Sequence, residues 1–261
     1  MSKNTKIAWT DHTANFWLGC TKVSEGCRNC YAETFATGRM GLDVWGGGKA
    51  RKPVQSVYGN LKKLQRNAEQ GVPGVLGEGY PHLVFVGSMM DWAEDHPDAD
   101  LIRPHMWDVI RRCPNLHFQL LTKRPERIAS TLPDDWGPGG YPNVWLGCSV
   151  EDNRVAHRVK HLVENRALVH FVSYEPAIGP LDQLDLEDVE WVIYGGESGA
   201  HRRPEDKQWA RDMRQRCMRR GISFFHKQSA GYRSETGIEL DGEIIREFPQ
   251  IPVKSEYVNR E

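Results

Sequence analysis

The sequence lacks a surplus of either charge, and it has no long apolar run. Its 261 residues carry 34 Lys and Arg against 35 Asp and Glu, which excludes a protein that coats nucleic acid nonspecifically through a cationic excess. No stretch approaches the roughly 18 consecutive apolar residues of a membrane span. Residues 1–11 lack the apolar core of a signal peptide. We therefore expect a cytoplasmic globular protein with no membrane partner.

Cysteine is also scarce. Six cysteines in 261 residues are too few for a fold built on disulfides, and a reducing compartment would keep them as thiols. Their placement is uneven, because Cys20, Cys27 and Cys30 lie close together while the other three are scattered. Clustered thiols with a two-residue spacer indicate redox or metal chemistry.

Short apolar runs alternate with amphipathic segments from about residue 82 onward, which is typical of buried parallel strands linked by helices. The predicted strands are residues 83–86, 118–121, 144–147, 168–172, 191–194 and 223–225, with one more near residues 15–19. The predicted helices are residues 98–113, 151–165 and 207–220. This pattern fits an open doubly wound sheet or a complete or partial barrel. No dinucleotide-type glycine fingerprint opens the chain, which favours the barrel.

Two segments fall outside this alternation. Residues 41–79 are rich in Gly, Lys and Arg and form a predicted insertion with a short helix at residues 56–67. Asp241-Gly242 between two short strand-like runs predicts a β-hairpin. We therefore divide the chain into a partial α/β barrel over residues 1–228 and a C-terminal hairpin and tail over residues 229–261.

Polar side chains follow nearly every predicted strand. The carboxyl ends of parallel strands lie at one face of the sheet, where barrel enzymes build their active sites. A single Ser or Asp at such a position is often a helix cap, but ionisable groups after several strands indicate a site. The candidate catalytic residues are Lys123, Arg124, Glu175, Glu197 and Lys227.

The cysteine cluster is the strongest local signal. It lies between the first predicted strand and a helix expected to begin near Cys27, so that Cys27 and Cys30 share the first helical turn and the loop returns Cys20 to them. The positive end of the helix would favour thiolates. Three soft ligands suit an iron–sulfur cluster or zinc. A structural zinc needs a fourth ligand, for which His12 is the nearest candidate, whereas three cysteines alone suit a [4Fe–4S] cluster with one open iron.

The three-cysteine loop, with Tyr31 directly after the third cysteine, resembles the radical S-adenosylmethionine (SAM) superfamily. More narrowly, five segments are similar to a phage-associated three-Cys-motif family without an assigned substrate. They are Ile-Ala-Trp-Thr-Asp at 7–11, Asn-Phe-Trp-Leu-Gly-Cys at 15–20, Cys-Tyr-Ala-Glu at 30–33, Leu-Thr-Lys-Arg-Pro at 121–125 and Gly-Gly-Glu-Ser-Gly at 195–199. This narrower similarity covers residues 5–250.

The resemblance implies a partial barrel of the radical SAM type with one [4Fe–4S] cluster on Cys20, Cys27 and Cys30. It also implies SAM as a bound cofactor, an electron donor as a partner, and a 5′-deoxyadenosyl radical that abstracts hydrogen from an unknown substrate, with a nucleic acid or a nucleotide as our first expectation. The residues that it assigns to SAM are Tyr31, Gly87, Ser88, Met89, Ser149, Glu151, Asp152 and Ser173. The sequence departs from the superfamily in having six residues, rather than three, between the first two cysteines. Its Gly-Gly-Glu triplet follows the sixth strand instead of the second.

Two other functions fit the same residues. The first is a zinc-containing α/β hydrolase or nuclease that uses Lys123, Glu175 and Glu197. The second is a non-catalytic nucleic-acid-binding module with a structural metal. Residues 201–220 contain eight Lys or Arg against three acidic residues, and this segment is either a solvated helix face or a contact for a nucleic-acid backbone.

Overall fold

The fold is organised around one eight-stranded sheet in a computed structural model that describes residues 2–3, 5–78 and 80–251. The predicted tail at residues 252–261 and the predicted end of the insertion at Gly79 lie outside the described residues. The strands are β1 (Ser2–Lys3), β2 (His12–Ala14), β3 (Trp17–Leu18), β4 (Lys52–Pro53), β5 (His82–Val86), β6 (Leu116–Thr122), β7 (Val144–Ser149), β8 (Val169–Tyr174), β9 (Trp191–Gly195), β10 (Ser223–Gln228), β11 (Glu239–Leu240) and β12 (Glu243–Ile244).

Six α-helices accompany these strands in the described ranges. They are α1 (Tyr31–Gly38), α2 (Ser56–Glu69), α3 (Pro97–Arg111), α4 (Ile128–Thr131), α5 (Arg158–Val163) and α6 (Lys207–Arg220). Single 3-10 turns occur at Glu25–Cys27, Pro125–Arg127 and Asn153–Val155. None of the described helices has both the length and the apolar character that a membrane crossing requires.

The sheet order is β1-β2-β5-β6-β7-β8-β9-β10. From β2 to β10 every neighbouring pair is parallel, and β1 adds an antiparallel strand at one edge. The seven parallel strands curl into a half-barrel, an architecture compatible with a partial β/α barrel. The predicted α/β class and its parallel sheet are therefore confirmed, because continuous apolar runs mark strands that are covered on both faces.

Three predicted elements have different bounds in the structure. The strand expected near residues 15–19 lies earlier, at β2, and the short strand β3 pairs with β4 outside the main sheet. The helix expected near Cys27 begins only at Tyr31, because Cys27 closes a 3-10 turn and Cys30 is the non-helical N-cap. The placement of Cys27 and Cys30 in one helical turn is therefore wrong. The helix predicted over residues 151–165 is shorter, since a capped 3-10 turn precedes α5.

The strands bury two apolar layers, one on each face, because successive side chains point to opposite sides of a strand. The outer layer packs against the helices and includes Val84, Leu146 and Val192 together with Leu61 of α2 and Met213 of α6. The inner layer fills the concave face. Its buried residues are Trp9, Leu83, Phe85, Trp145, Val169, Phe171, Trp191, Ile193, Phe225 and Ile251.

The C-terminal hairpin and the segment after it pack against the last strand and the last helix. Leu240 and Ile245 are buried in the outer layer. Beyond β12, the main chain runs antiparallel to β10, with a bridge between Phe225 and Arg246 and a 2.8 Å hydrogen bond from His226 N to the Ile245 carbonyl. Residues 245–247 thereby cover the outer edge of β10. The predicted hairpin is confirmed at β11 and β12.

Candidate functional site

A cavity of about 340 Å³ opens at the carboxyl ends of the strands, directly above the inner layer. Trp9, Phe85 and Leu121 contribute apolar surface to it. Thirteen of the sixteen predicted site residues line this one cavity. They are Cys20, Cys27, Cys30, Tyr31, Gly87, Ser88, Lys123, Arg124, Ser149, Ser173, Glu175, Glu197 and Lys227. The structure therefore gathers at one place residues that were predicted from seven separate segments of the chain.

Met89, Glu151 and Asp152 lie outside the lining of the cavity. The Met89 main chain joins the ends of two strands, because its N–H donates to Asn15 Oδ1 at 2.7 Å. Asp152 caps the 3-10 turn at Asn153–Val155, where its carboxylate accepts the Arg154 N–H at 2.9 Å. Glu151 instead accepts a hydrogen bond from Ser24, in the loop that carries the cysteines.

Residues 20–30, here called the cysteine loop, carry the three predicted ligands, and all three are free thiols. Burial raises the pKa of Cys20, and the negative charge of Asp91 raises it further. Burial also raises the pKa of Cys30, against the opposing effect of the Ala32 and Glu33 N–H groups that bond to it. Cys20 and Cys30 are therefore held as neutral thiols at pH 7. A bound metal would have to displace their protons.

Arg124 holds the first part of the cysteine loop. Its guanidinium donates to Asp91 Oδ2 at 2.7 Å and to the Thr21 carbonyl at 2.6 Å, and it lies 3.8 Å from Cys20 Sγ. Asp91 is fixed in turn by the Thr122 hydroxyl at 2.6 Å. This buried ion pair links the ends of two parallel strands to Cys20.

The insertion supplies a second arginine to the same part of the loop. The Arg51 side chain is fully buried and forms a two-fold hydrogen bond with Glu94, at 2.8 Å for each contact. It also donates to Thr21 Oγ1 at 2.8 Å and to the carbonyl of Val44 at 3.0 Å. Arg51 therefore ties the insertion to the cysteine loop, a contact that the sequence did not predict.

Glu151 supports the middle of the cysteine loop. Its carboxylate accepts from Lys123 Nζ at 2.7 Å, Arg158 at 2.9 Å and Ser24 Oγ at 3.0 Å. It packs so closely under Gly26 that a Cβ atom built on this glycine would overlap the carboxylate. Burial raises the pKa of Glu151, but the two cations outweigh burial and hold the pKa below its ordinary value. The carboxylate is therefore ionised and engaged.

Glu197 holds the end of the loop. It pairs with Arg203 at 2.5 Å and accepts from Asn29 Nδ2 at 3.1 Å, while Arg203 also donates to the Glu25 carbonyl at 3.1 Å. Burial raises the pKa of Glu197, yet the Arg203 hydrogen bonds lower it more and leave it below its ordinary value. Arg124, Glu151 and Glu197 were predicted as catalytic or cofactor-binding residues. The structure gives all three a direct contact with the cysteine loop.

A second charged group lies in the cavity, and we call it the lysine cluster: Glu175, Lys227 and Glu235. Lys227 Nζ lies 2.5 Å from Glu175 Oε1. Glu235 comes from the segment after β10, where it has a left-handed φ of 57° and its N–H donates to Gln228 Oε1 at 2.7 Å. Glu235 was not among the predicted site residues, because this glutamate does not directly follow a predicted strand. A glutamate in this rarely occupied conformation carries no local sequence signal.

The remaining residues assigned to SAM form a polar strip across the cavity. Tyr31 Oη donates to the Ser88 carbonyl at 2.8 Å, and Ser88 Oγ accepts from Asn15 Nδ2 at 2.8 Å. Ser149 and Ser173 are register partners on the neighbouring strands β7 and β8. Both serines follow inner-layer residues along their strands, so the strand alternation itself turns them towards the cavity.

The comparison with known families places this whole arrangement in one family. The profile of a family described as a protein of unknown function, DUF5131, matches residues 4–249. The chain belongs to the DUF5131 family. The match includes the cysteine loop, the insertion, every parallel strand and the hairpin of this DUF5131 protein. No curated protein and no solved structure matches the chain.

The three thiols in the cavity of this DUF5131 protein are chemically suitable ligands for an iron–sulfur cluster. Within the described residues, no three His, Cys, Asp or Glu side chains are gathered as the ligands of a metal ion would be. The three thiols nevertheless line one cavity, and thiolate is the ligand that iron–sulfur clusters take. Lys123 and Arg124 bring positive charge next to them, which offsets the charge of thiolates.

Several arginines of residues 201–220 are engaged by other parts of this DUF5131 chain, two of them by the hairpin. Arg211 pairs with Asp241 at 2.7 Å, and Arg214 pairs with Glu243 at 2.9 Å. Arg216 donates to the Leu181 carbonyl at 2.6 Å. These contacts assign one face of α6 to packing within the chain.

Proposed function

We propose that this DUF5131 protein is a radical SAM enzyme with a [4Fe–4S] cluster on Cys20, Cys27 and Cys30. One observation carries the proposal. Three cysteines of a single loop line a cavity at the carboxyl ends of a parallel half-barrel. In parallel α/β folds this end of the sheet is where reactions take place.

The chemistry that a bound cluster and SAM supply is one-electron cleavage of the sulfonium, followed by hydrogen abstraction from a substrate. The chain itself binds and orients. Tyr31, Gly87, Ser88, Ser149 and Ser173 offer hydroxyl and main-chain groups to SAM along the polar strip. The apolar surface of the inner layer beneath them excludes water, which protects a reactive intermediate.

Lys123 supplies a positive charge beside the cysteines. Burial lowers the pKa of this lysine, but Glu151 and Cys27 raise it more, so that its net pKa lies above the ordinary value and the side chain stays charged. A fixed cation at this place lowers the cost of holding three thiolates in a buried loop. Lys123 is therefore proposed to stabilise the cluster and not to transfer a proton.

Anaerobic reconstitution with iron and sulfide tests the proposal. We expect an iron–sulfur absorption band, and after reduction by dithionite in the presence of SAM we expect 5′-deoxyadenosine by chromatography. Both signals should disappear in Cys27→Ala. They should persist in Cys113→Ala, since Cys113 is a buried core thiol outside the cavity.

The opposite result would contradict the proposal. A protein that takes up zinc but no iron, and that releases no deoxyadenosine, would favour the zinc hydrolase or the nucleic-acid-binding module with a structural metal. Loss of a nuclease activity on substitution of Lys123 or Glu175 would then separate these two alternatives.

A further inference from the structure

The charged side chains that line the cavity are nearly all paired. The ion pairs of 4 Å or less that involve them are Lys22–Glu33, Lys123–Glu151, Arg124–Asp91, Arg124–Glu94, Arg203–Glu197 and Lys227–Glu175. Two lining residues have no ion pair among the described residues, namely Lys6 and Glu235. Lys6 is exposed to solvent, whereas Glu235 is half-buried. Glu235 is therefore the half-buried charge of the lining that lacks an ion-pair partner.

The surroundings of Glu235 disfavour its negative charge. Burial raises its pKa, the negative charge of Glu175 raises it further, and the opposing charges of Lys227 and Arg246 do not reverse the effect. The Ala8 N–H donates to it, and its own main chain is held by Gln228. A carboxylate fixed in this way at a cavity wall has acceptor capacity left for a ligand.

The three charges of the lysine cluster sum to −1 when all are ionised. One N–H of Lys227 is taken by Glu175, so the excess negative charge resides on Glu235. The cavity that holds the cluster also has the apolar surface of Trp9, Phe85 and Leu121. Such a wall matches a ligand with a positively charged nitrogen attached to an apolar or planar body.

We propose that the lysine cluster is the binding subsite for a cationic nitrogen of the substrate, an ammonium or an amidinium, with Glu235 as the acceptor. This inference names a substrate class for the proposed enzyme, and it rests on the proposed function in taking this cavity as the active site. Within the described residues, no hydrogen bond or ion pair joins the cluster to residues 20–30. The subsite is thus separate from the groups that hold the cysteine loop.

Binding of small probes to the full chain without iron tests the subsite directly. Benzylammonium has a cationic nitrogen on a flat apolar body, and benzyl alcohol is its neutral match. We expect calorimetry or saturation-transfer NMR at pH 7 to show benzylammonium binding about tenfold more tightly, the equivalent of about 1.4 kcal/mol. Glu235→Gln should abolish this preference while leaving the affinity for benzyl alcohol unchanged.

The control variant is Glu239→Gln, which removes one negative charge from an exposed position of the hairpin. It should keep the preference for benzylammonium, and thermal unfolding should show that both variants are folded. Equal affinity for the two probes, or an unchanged preference in Glu235→Gln, would overturn the subsite. A loss of SAM affinity in reconstituted Glu235→Gln would overturn it too, because the carboxylate would then serve the cofactor.

Failure of the subsite and failure of the proposed reaction are distinguishable, because the probe assay uses no iron. A preference for benzylammonium that depends on Glu235, in a chain that takes up no cluster, supports the subsite and rejects the radical reaction. Cluster formation and deoxyadenosine release without any preference among the probes reject the subsite alone.

Discussion

The charged residues of the cavity fall into two groups that look alike in the sequence and differ in the structure. The carboxylates of Asp91, Glu94, Glu151 and Glu197, which support the cysteine loop, are buried. Each of them contacts at least one cation, as Glu151 does with Lys123 and Arg158. The lysine cluster has two carboxylates and one lysine. Lys227 pairs with Glu175, and Glu235 has no ion pair among the described residues. Both groups have members in the lining of the cavity. The carboxylates of the first group are engaged in supporting the cysteine loop, whereas the second group leaves one carboxylate available to a ligand.

This difference shows why charge at a strand end does not by itself indicate chemistry. A buried carboxylate must be paired, because an uncompensated charge in the interior costs several kcal/mol. An ion pair of a buried carboxylate therefore indicates structural support of the cysteine loop and does not by itself indicate catalysis. A half-buried carboxylate can remain unpaired at lower cost, since water still screens it. Such a group is the better candidate for a ligand contact.

The largest expected effect comes from Glu151→Gln. The substitution leaves Lys123 and Arg158 without their shared counter-charge, and we expect the free energy of unfolding to fall by about 3 kcal/mol. Urea unfolding measures it. Glu126→Gln, at an exposed position, should change stability by about 0.5 kcal/mol or less. A loss as small as the control's would show that the ion pairs of Glu151 do not stabilise the cysteine loop.

Gly26→Ala should have the next largest effect. The new methyl group would overlap the Glu151 carboxylate, so the cysteine loop must move, at a cost of about 1–3 kcal/mol. We expect reduced iron uptake as well as reduced stability. The matched variant is Gly48→Ala, because a Cβ atom there meets open space. If both alanine variants take up iron like the native chain, the loop does not need this contact.

Glu235→Gln should have the smallest effect and the opposite sign. Since burial raises the pKa of Glu235, ionising this carboxyl destabilises the fold as the pH rises from its ordinary value through its raised value. The variant should thus gain stability at pH 7, by about 1 kcal/mol or less after solvent screening.

The pH dependence gives the sharpest contrast between the two groups. The pKa of Glu151 is lowered, so its stabilisation is complete above its ordinary pKa and is lost as the pH falls through the lowered value. Unfolding free energies measured from pH 3 to 7 should slope more steeply upward in Glu235→Gln than in the native chain, and less steeply in Glu151→Gln. If both substitutions changed the slope of unfolding free energy against pH in the same direction, the division of the charged residues into two groups would be contradicted.

Much of the fold was predictable because strands buried on both faces have a simple signature. The apolar runs marked β5 to β10 to within about three residues. The alternation within each run also told which side chains share a face. Along β8, Phe171, Ser173 and then Glu175 follow one another on the inner side. A site at the strand ends follows from that alternation.

The cysteine loop was harder to predict because long-range contacts shape it. The sequence between Cys27 and Tyr31 contains no proline or glycine that would stop a helix. The Asn29 side chain instead bonds to Glu197 and to the His201 carbonyl, at 3.1 and 2.7 Å. Helix α1 therefore starts after Cys30. The division of the charged residues into two groups depends on such partners and could not be read from spacing.

A half-barrel has two open edges, and the chain protects one of them with its own C-terminal segment. Residues 245–247 bond to the main chain of β10, which would otherwise present free N–H and C=O groups to any other strand. A chain cut before the hairpin would lose this cover and also the counter-charges of Arg211 and Arg214. We expect such a shortened chain to self-associate through the exposed edge of β10, which would give the C-terminal segment a part in keeping the full chain from aggregating.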